Sequence, residues 1–458
     1  MIILSPAIMK KLLIILSVLC CRPGAAAQEF GKWFENSTLR LDYVFCGKAD
    51  GQEIRLVEAL RTGEWAGRTT RLAEPLLKGN GQISLTDPES GDVLYVQSFS
   101  TLFQEWLGYE EATRTGRAFE NCFQVPFPRK KVLVTLKLFD VHGRQSVRFE
   151  HEVDPADILI RRVKDNGMPR KVIPCPGEKA PAGGKPDSVI DVAILAEGYT
   201  AGEQAKFYSD AEKAVRAIMG HSPFDEYKDR FRFVAVAAPS EESGVSIPRK
   251  GLWKRTVAGA HFDTFYTDRY LTSSRMRDIY DALGTVPFEH IILLVNTPIY
   301  GGGGIFNSLT IMGSDNVTFE VVLVHEFGHA FGGLGDEYFY DDMFDSFYPA
   351  GTEPWEPNLT TLADFGSKWQ DMLPEGTPVP TPVDSLEMKD VRRLWKKLSP
   401  EQKATLNGKV GVYEGGGYQS KGVYRPAQEC RMKINECEEF CPVCKRAIRR
   451  MIDYSTGY

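Results

Sequence analysis

The sequence predicts an α/β domain preceded by an all-β sandwich domain. Three observations carry this reading. Residues 28–165 hold short alternating or β-branched runs broken by Gly, Asp and Pro, the grammar of strands joined by turns. Residues 166–187 (NGMPRKVIPCPGEKAPAGGKPD) are dense in Pro and Gly and mark a boundary. From residue 188 onward, buried-strand runs alternate with amphipathic stretches, as in an α/β domain. The length of 458 residues favours two or more domains. At 43% hydrophobic and 25% charged, the composition is that of an ordinary globular protein.

Taken in order, the chain begins with an expected secretory signal over residues 1–27. Lys10 and Lys11 precede a short apolar run, and Ala25-x-Ala27 closes it, which places cleavage after Ala27. A lipid-anchored variant at Cys20 or Cys21 is the alternative. The run is too short to span a bilayer comfortably, and nothing after Ala27 is apolar enough to do so. An exported protein with no integral membrane segment is therefore expected: periplasmic, cell-surface or secreted. The formal charge is −6; the signal carries Lys10, Lys11 and Arg22 and no acid, so losing these three cations leaves −9. That balance, without a basic patch, argues against a nucleic-acid partner.

In the β domain, LRLDYVFCG, QISLTDPESGDVLYVQSFS and KKVLVTLKLFDVHGRQSVRFEHEVD supply the strands. In the catalytic domain (188–458), buried strands are expected over 188–199, 229–240 and 290–298, and helices over 200–220, 272–284 and 316–333. YGGGGIFNSLTIMG (300–313) reads as a Gly-rich turn followed by a strand over 305–312, and 354–458 as mostly helix and loop. The Gly301–Gly304 run suits either a flexible loop or the close approach of an extended peptide to that strand.

The chemistry is concentrated in VVLVHEFGHAFGGLGDEY, residues 321–338. His325 and His329 are four apart on an apolar helix, so both imidazoles lie on one face, one turn apart, and can converge on one metal ion. Glu326 stands beside the first ligand, within reach of a metal-bound water. No histidine follows His329, so oxygen must complete the ligand set. Counting from Gly333 gives G-x-x-D and points to Asp336, with Glu337 as the alternative. A carboxylate beside two histidines leaves a fourth position open, as in catalytic Zn2+ sites. The metalloprotease class whose motif continues into such a glycine turn also places a methionine in a turn beneath the metal; Cys430-Arg431-Met432 is the best-placed candidate, with an ordinary core methionine as the alternative. After the signal, seven cysteines remain; Cys430, Cys437, Cys441 and Cys444 cluster, and in an exported chain disulfides are favoured over a structural zinc site or a redox pair.

HEFGHAFGGLGDEY, with CRM and FCPVC downstream, resembles the IgA-peptidase-like family of secreted bacterial zinc metallopeptidases within the metzincin group, over roughly residues 188–452. The region 28–165 resembles the N-terminal domain that often precedes that peptidase domain. The resemblance implies a metzincin-like fold, a zinc cofactor and endopeptidase activity on a protein or peptide substrate. It places the ligand roles on His325, His329 and Asp336 and the general-base role on Glu326. The absent third histidine and one extra residue before the turn depart from the wider metzincin pattern. Competing readings are an exported zinc amidase or glycan-processing hydrolase, which exposed aromatic rows on the β domain would favour, and a surface binding protein with a structural zinc site.

Overall fold

The computed structural model describes residues 30–177, 189–340, 347–383 and 394–458. The expected signal segment 1–27 and residues 178–187 of the expected linker lie outside the described residues. The chain is a mixed α/β protein with several sheets and an N-terminal β domain.

That domain contains β1 (Phe34–Lys48), β2 (Gly51–Arg61), β3 (Gly81–Thr86), β4 (Val93–Phe99), a short helix α1 (Leu102–Trp106), β5 (Arg117–Pro128), β6 (Val132–Phe139), β7 (Gln145–Val153) and β8 (Arg161–Arg162). They form two four-stranded sheets, ordered β5-β1-β2-β8 and β4-β3-β6-β7. Alternation decides the inner face. Leu39, Leu41, Tyr43 and Phe45 of β1 share one core with Ile83 and Leu85 of β3 and Val134, Leu136 and Leu138 of β6. β2, β5 and α1 were not read from the sequence.

On the opposite face of β1 lie Arg40 and Asp42, both buried. The Arg40 guanidinium donates two 2.7 Å bonds to the Asp42 carboxylate and one of 2.6 Å to Asp281. Arg277 donates to Glu120 of β5 at 2.8 Å. Asp281 and Arg277 belong to α3 (Met276–Leu283) of the second domain, so these ion pairs fasten the β domain to it.

The second domain is built on a six-stranded sheet: β9 (Arg170–Ile173), β10 (Ile190–Glu197), β11 (Phe231–Val236), β12 (His290–Val295), β13 (Gly302–Ile305) and β14 (Leu309–Gly313), in the order β13-β14-β12-β10-β11-β9. The four inner strands run parallel and both edge strands antiparallel. All eight residues of β10 are buried. Ile190, Val192, Ile194 and Ala196 face one core; Ala193 and Leu195 face another with α3. Helices on both faces explain why this strand reads as a continuous apolar run. α2 (Gln204–Met219) follows a turn in which Thr200 and Glu203 form a capping box. α4 (Phe319–Gly332) packs against α2 and under β13 and β14.

Three details differ from the sequence reading. Residues 170–173, inside the expected linker, form the edge strand β9 paired to β11. Gly302–Gly304 lie not in a turn but in the edge strand β13, and the strand expected over 305–312 is broken by a turn at 306–308, so that β14 starts at Leu309. The C-terminal stretch contains, besides α5 (Pro400–Gly408) and α6 (Pro442–Thr456), the strands β16 (Tyr413–Gly416) and β17 (Tyr418–Arg425), which form a three-stranded sheet with β15 (Phe339–Tyr340) from before it.

Arg40→Met is expected to leave Asp42 buried without a partner and to cost about 3–5 kcal/mol, read as a lower urea midpoint. Adding Asp42→Leu should recover most of the loss; failure to recover would show that the latch to Asp281 dominates.

Candidate active site

α4 begins after an Asx turn in which the Asn316 side chain accepts the Thr318 N–H at 2.9 Å. Phe319, Val322, Leu323, Phe327 and Phe331 bury its apolar faces in the core shared with α2 and α6. The remaining face carries His325 and His329, with ring centroids 4.7 Å apart. His325 Nδ1 lies 3.0 Å from the Arg431 carbonyl and His329 Nδ1 2.6 Å from the Leu334 carbonyl. A carbonyl only accepts, so each Nδ1 carries the proton and each Nε2 presents a lone pair.

The helix ends on Gly333, whose φ of +63° is the left-handed cap that glycine adopts freely. Its N–H bonds the His329 carbonyl and that of Leu334 bonds the Gly328 carbonyl. The chain then turns back over the helix and delivers Asp336. Asp336 Oδ1 sits 3.1 Å from His325 Nε2 and 3.2 Å from His329 Nε2, and the two Nε2 atoms are 3.1 Å apart. Oδ1 is buried and accepts no hydrogen bond. Oδ2 accepts from the Tyr418 hydroxyl at 2.5 Å. Tyr418 holds a left-handed φ of +68°, uncommon for a side chain of this size. With both imidazoles neutral, three lone pairs face one point and repel one another unless a cation lies between them. The donor set, two imidazoles and one carboxylate, is one that zinc accepts.

Glu326 stands beside this trio. Burial raises its carboxyl above the usual range, while the two imidazoles act against that. Over it runs β13. A Cβ on Gly304 would stand 2.2 Å from the Glu326 carbonyl oxygen and 2.9 Å from His329 Cβ, and one on Gly302 2.9 Å from Met312 Sδ. The glycines therefore let the edge strand lie directly on the helix. Met432 is buried in a turn beneath the helix; its sulfur would stand 3.0 Å from a Cβ on Gly328, and its carbonyl accepts the Glu337 N–H at 2.9 Å. Glu337, the alternative ligand, faces away from the histidines and lies among Cys430, Cys441 and Cys444.

Sequence reasoning missed the contribution of the β domain. A cleft of about 1120 Å³ runs between the domains, lined by Gln104 and Glu105 of α1 as well as Gly304, His329, Asp336 and Trp355. Glu105 accepts from the Tyr270 hydroxyl at 2.5 Å. Burial pushes its carboxyl up to about 7, with Tyr270 opposing and the charges of Asp336 and Glu326 adding to the rise. No motif surrounds Glu105, so only the docking of the domains reveals it. The expected disulfides are absent among the described residues: the seven cysteines are free thiols, and Cys437 packs apart from the other three, with Trp395, Leu406 and Ile434.

Residues 180–452 match the family described as IgA Peptidase M64, and residues 29–150 match the Peptidase M64 N-terminus. No curated protein matches the chain.

Gly304→Ala is expected to force β13 off α4 at a cost of about 1–3 kcal/mol, read as a lower melting temperature. An unchanged melting temperature would show that the strand has room to move.

Proposed function

The chain belongs to the IgA peptidase M64 family, and is thus a peptidase of a metallopeptidase family; from that premise we propose that it is an exported, zinc-dependent endopeptidase. His325, His329 and Asp336 hold the zinc, and Glu326 is the general base. The observation that supports this reading is the convergence of the two Nε2 atoms and the buried Asp336 Oδ1 within 3.2 Å of one another. The tight turn at Gly333 and the buried Met432 below the helix support a metzincin-like arrangement.

Bound there, zinc supplies Lewis acidity to the scissile carbonyl and renders water nucleophilic near neutral pH. The Glu326 carboxylate takes the proton of the attacking water and delivers it to the leaving amine nitrogen. Arg431 and Leu334 carbonyls hold the imidazoles in the tautomer that offers Nε2. Tyr418 occupies the second oxygen of Asp336 and fixes its rotamer. The walls of the interdomain cleft come from both domains. A protein substrate follows from the family. Among the described residues, no helix is long and apolar enough to cross a membrane. Among the described residues the aromatic side chains of the β domain are buried or half-buried, so none of them favours the glycan reading.

The test is digestion of a mixed peptide library by the chain from Gln28 onward, read by mass spectrometry. Glu326→Gln should retain metal and lose at least about 10²-fold in kcat/KM, the weight of a general base; equal cleavage by both proteins would overturn the assignment. Tyr418→Phe should keep the fold but weaken metal affinity about 10–100-fold, measured by competition with a chelator. Unaltered affinity would mean that Tyr418 does not support the ligand.

A further inference from the structure

Directly behind Asp336 lies a second set of ligands that the proposed reaction does not use. Glu337, Cys430, Cys441 and Cys444 are all buried, and each offers an atom within 4.8 Å of those of the other three. We propose that these four residues form a second, closed metal centre, a structural Zn2+ site with three thiolates and one carboxylate.

The spacing favours a metal over a disulfide. Cys430 Sγ and Cys444 Sγ are 3.9 Å apart. A disulfide would hold them at about 2.05 Å, whereas two thiolates bound at about 2.3 Å to one tetrahedral zinc stand about 3.8 Å apart. Cys444 Sγ lies 3.1 Å from Glu337 Oε1, and the Cys441 backbone N–H points at Cys430 Sγ at 3.2 Å. Cys441 caps the N-terminus of α6 with Pro442 behind it, so Cys444 follows within the first turn and both thiols meet on one side. Glu337 is fully buried; Oε1 is held by Asn358 at 2.9 Å, and Oε2 has no hydrogen-bond partner. A carboxylate taken from water and left half-bonded among thiols is costly, and a cation between them removes the cost. One disulfide would use two of the three thiols and leave both the third and the carboxylate unmatched. Soft sulfur donors with one oxygen select zinc over magnesium or calcium, and four protein ligands leave no open position for catalysis.

The centre ties together the pieces that build the active site. Glu337 follows Asp336. Cys430 precedes Arg431, whose carbonyl orients His325, and Met432, whose carbonyl receives the Glu337 N–H. Cys441 immediately precedes α6 and Cys444 lies in its first turn. A metal there fixes the arm that carries Asp336 to the turn beneath the helix.

The experiment is to produce the untagged chain from Gln28 in zinc-poor, cobalt-supplemented medium and to record its absorption spectrum. A thiolate-to-cobalt charge-transfer band in the near ultraviolet is expected, equivalent to one cobalt per chain. The band should persist in His329→Ala, which removes a ligand of the first centre, and vanish in Cys444→Ser. Because the first centre contains no sulfur, failure of its zinc assignment leaves this band untouched. The purified, denatured wild-type chain should also titrate as seven free thiols once chelated. Absence of the band in the wild type, its survival in Cys444→Ser, or two missing thiols from an oxidised pair would overturn the proposal. The wild-type spectrum and thiol count hold as tests even where a variant fails to fold.

Discussion

Two imidazole nitrogens and one carboxylate oxygen are held within 3.2 Å of each other with their lone pairs facing inward. At such distances in a partly buried site, electrostatic repulsion is weakly screened, so the surrounding chain must hold the three atoms against it. It does so with groups from different stretches. The Leu334 carbonyl comes from the turn that ends the helix, the Arg431 carbonyl from a turn a hundred residues on, and the Tyr418 hydroxyl from a strand in a separate sheet. Each pins one donor by its far side. The geometry is therefore a property of the assembled domain, and a helix bearing the same motif in isolation would not sustain it.

The edge strand and the β domain follow from the same requirement. A site on the exposed face of a helix is open to water unless something lies over it. β13 does so at a spacing that only glycine permits. The β domain does so from the other side, carrying α1 and Glu105 to the cleft. Its position is set by the buried Arg40–Asp42 pair, which shares its guanidinium with Asp281, and by Arg277 on Glu120. A carboxyl held near 7 and bonded to Tyr270 is poised to exchange protons close to neutral pH. The β domain is thus one wall of the cleft.

The legible parts of the sequence were those whose cause is local. β10, β11 and β12 are short and mostly apolar because both their faces are buried. α2 is announced by Thr200, and the motif on α4 by the four-residue spacing of its histidines. Asp336 was reachable because Gly333 must end the helix before any ligand can return. What escaped depends on partners distant in sequence. β9 is a short Lys/Arg-rich segment that is a strand only because β11 lies beside it. The β15–β17 sheet is interrupted by glycines that obscure the alternation. The Gly301–Gly304 run looked like a loop because the property that matters, an absent Cβ against a helix, has no periodic signature. Glu105 has no local mark at all. The cysteines misled through composition: export favours disulfides in general, but three thiols around a buried glutamate form a different kind of cluster.

The ambiguity between Asp336 and Glu337 has a simple resolution in backbone geometry. Residues 336–338 run extended between two other segments: the Asp336 carbonyl receives the Gly417 N–H and the Tyr338 carbonyl that of Tyr418, while the Glu337 N–H bonds Met432 on the opposite side. In an extended chain, neighbouring side chains point to opposite faces. One carboxylate must then face the histidines and the next must face away, toward Cys430, Cys441 and Cys444. A one-residue slip would exchange them, giving the histidines a longer side chain and the cysteines a shorter one. Hydrogen bonds on both edges of the segment oppose that slip, and a metal held by Glu337 and three thiolates opposes it further, because the slipped register would have to break it. The two acidic residues are adjacent for this reason: each fixes the register that the other needs.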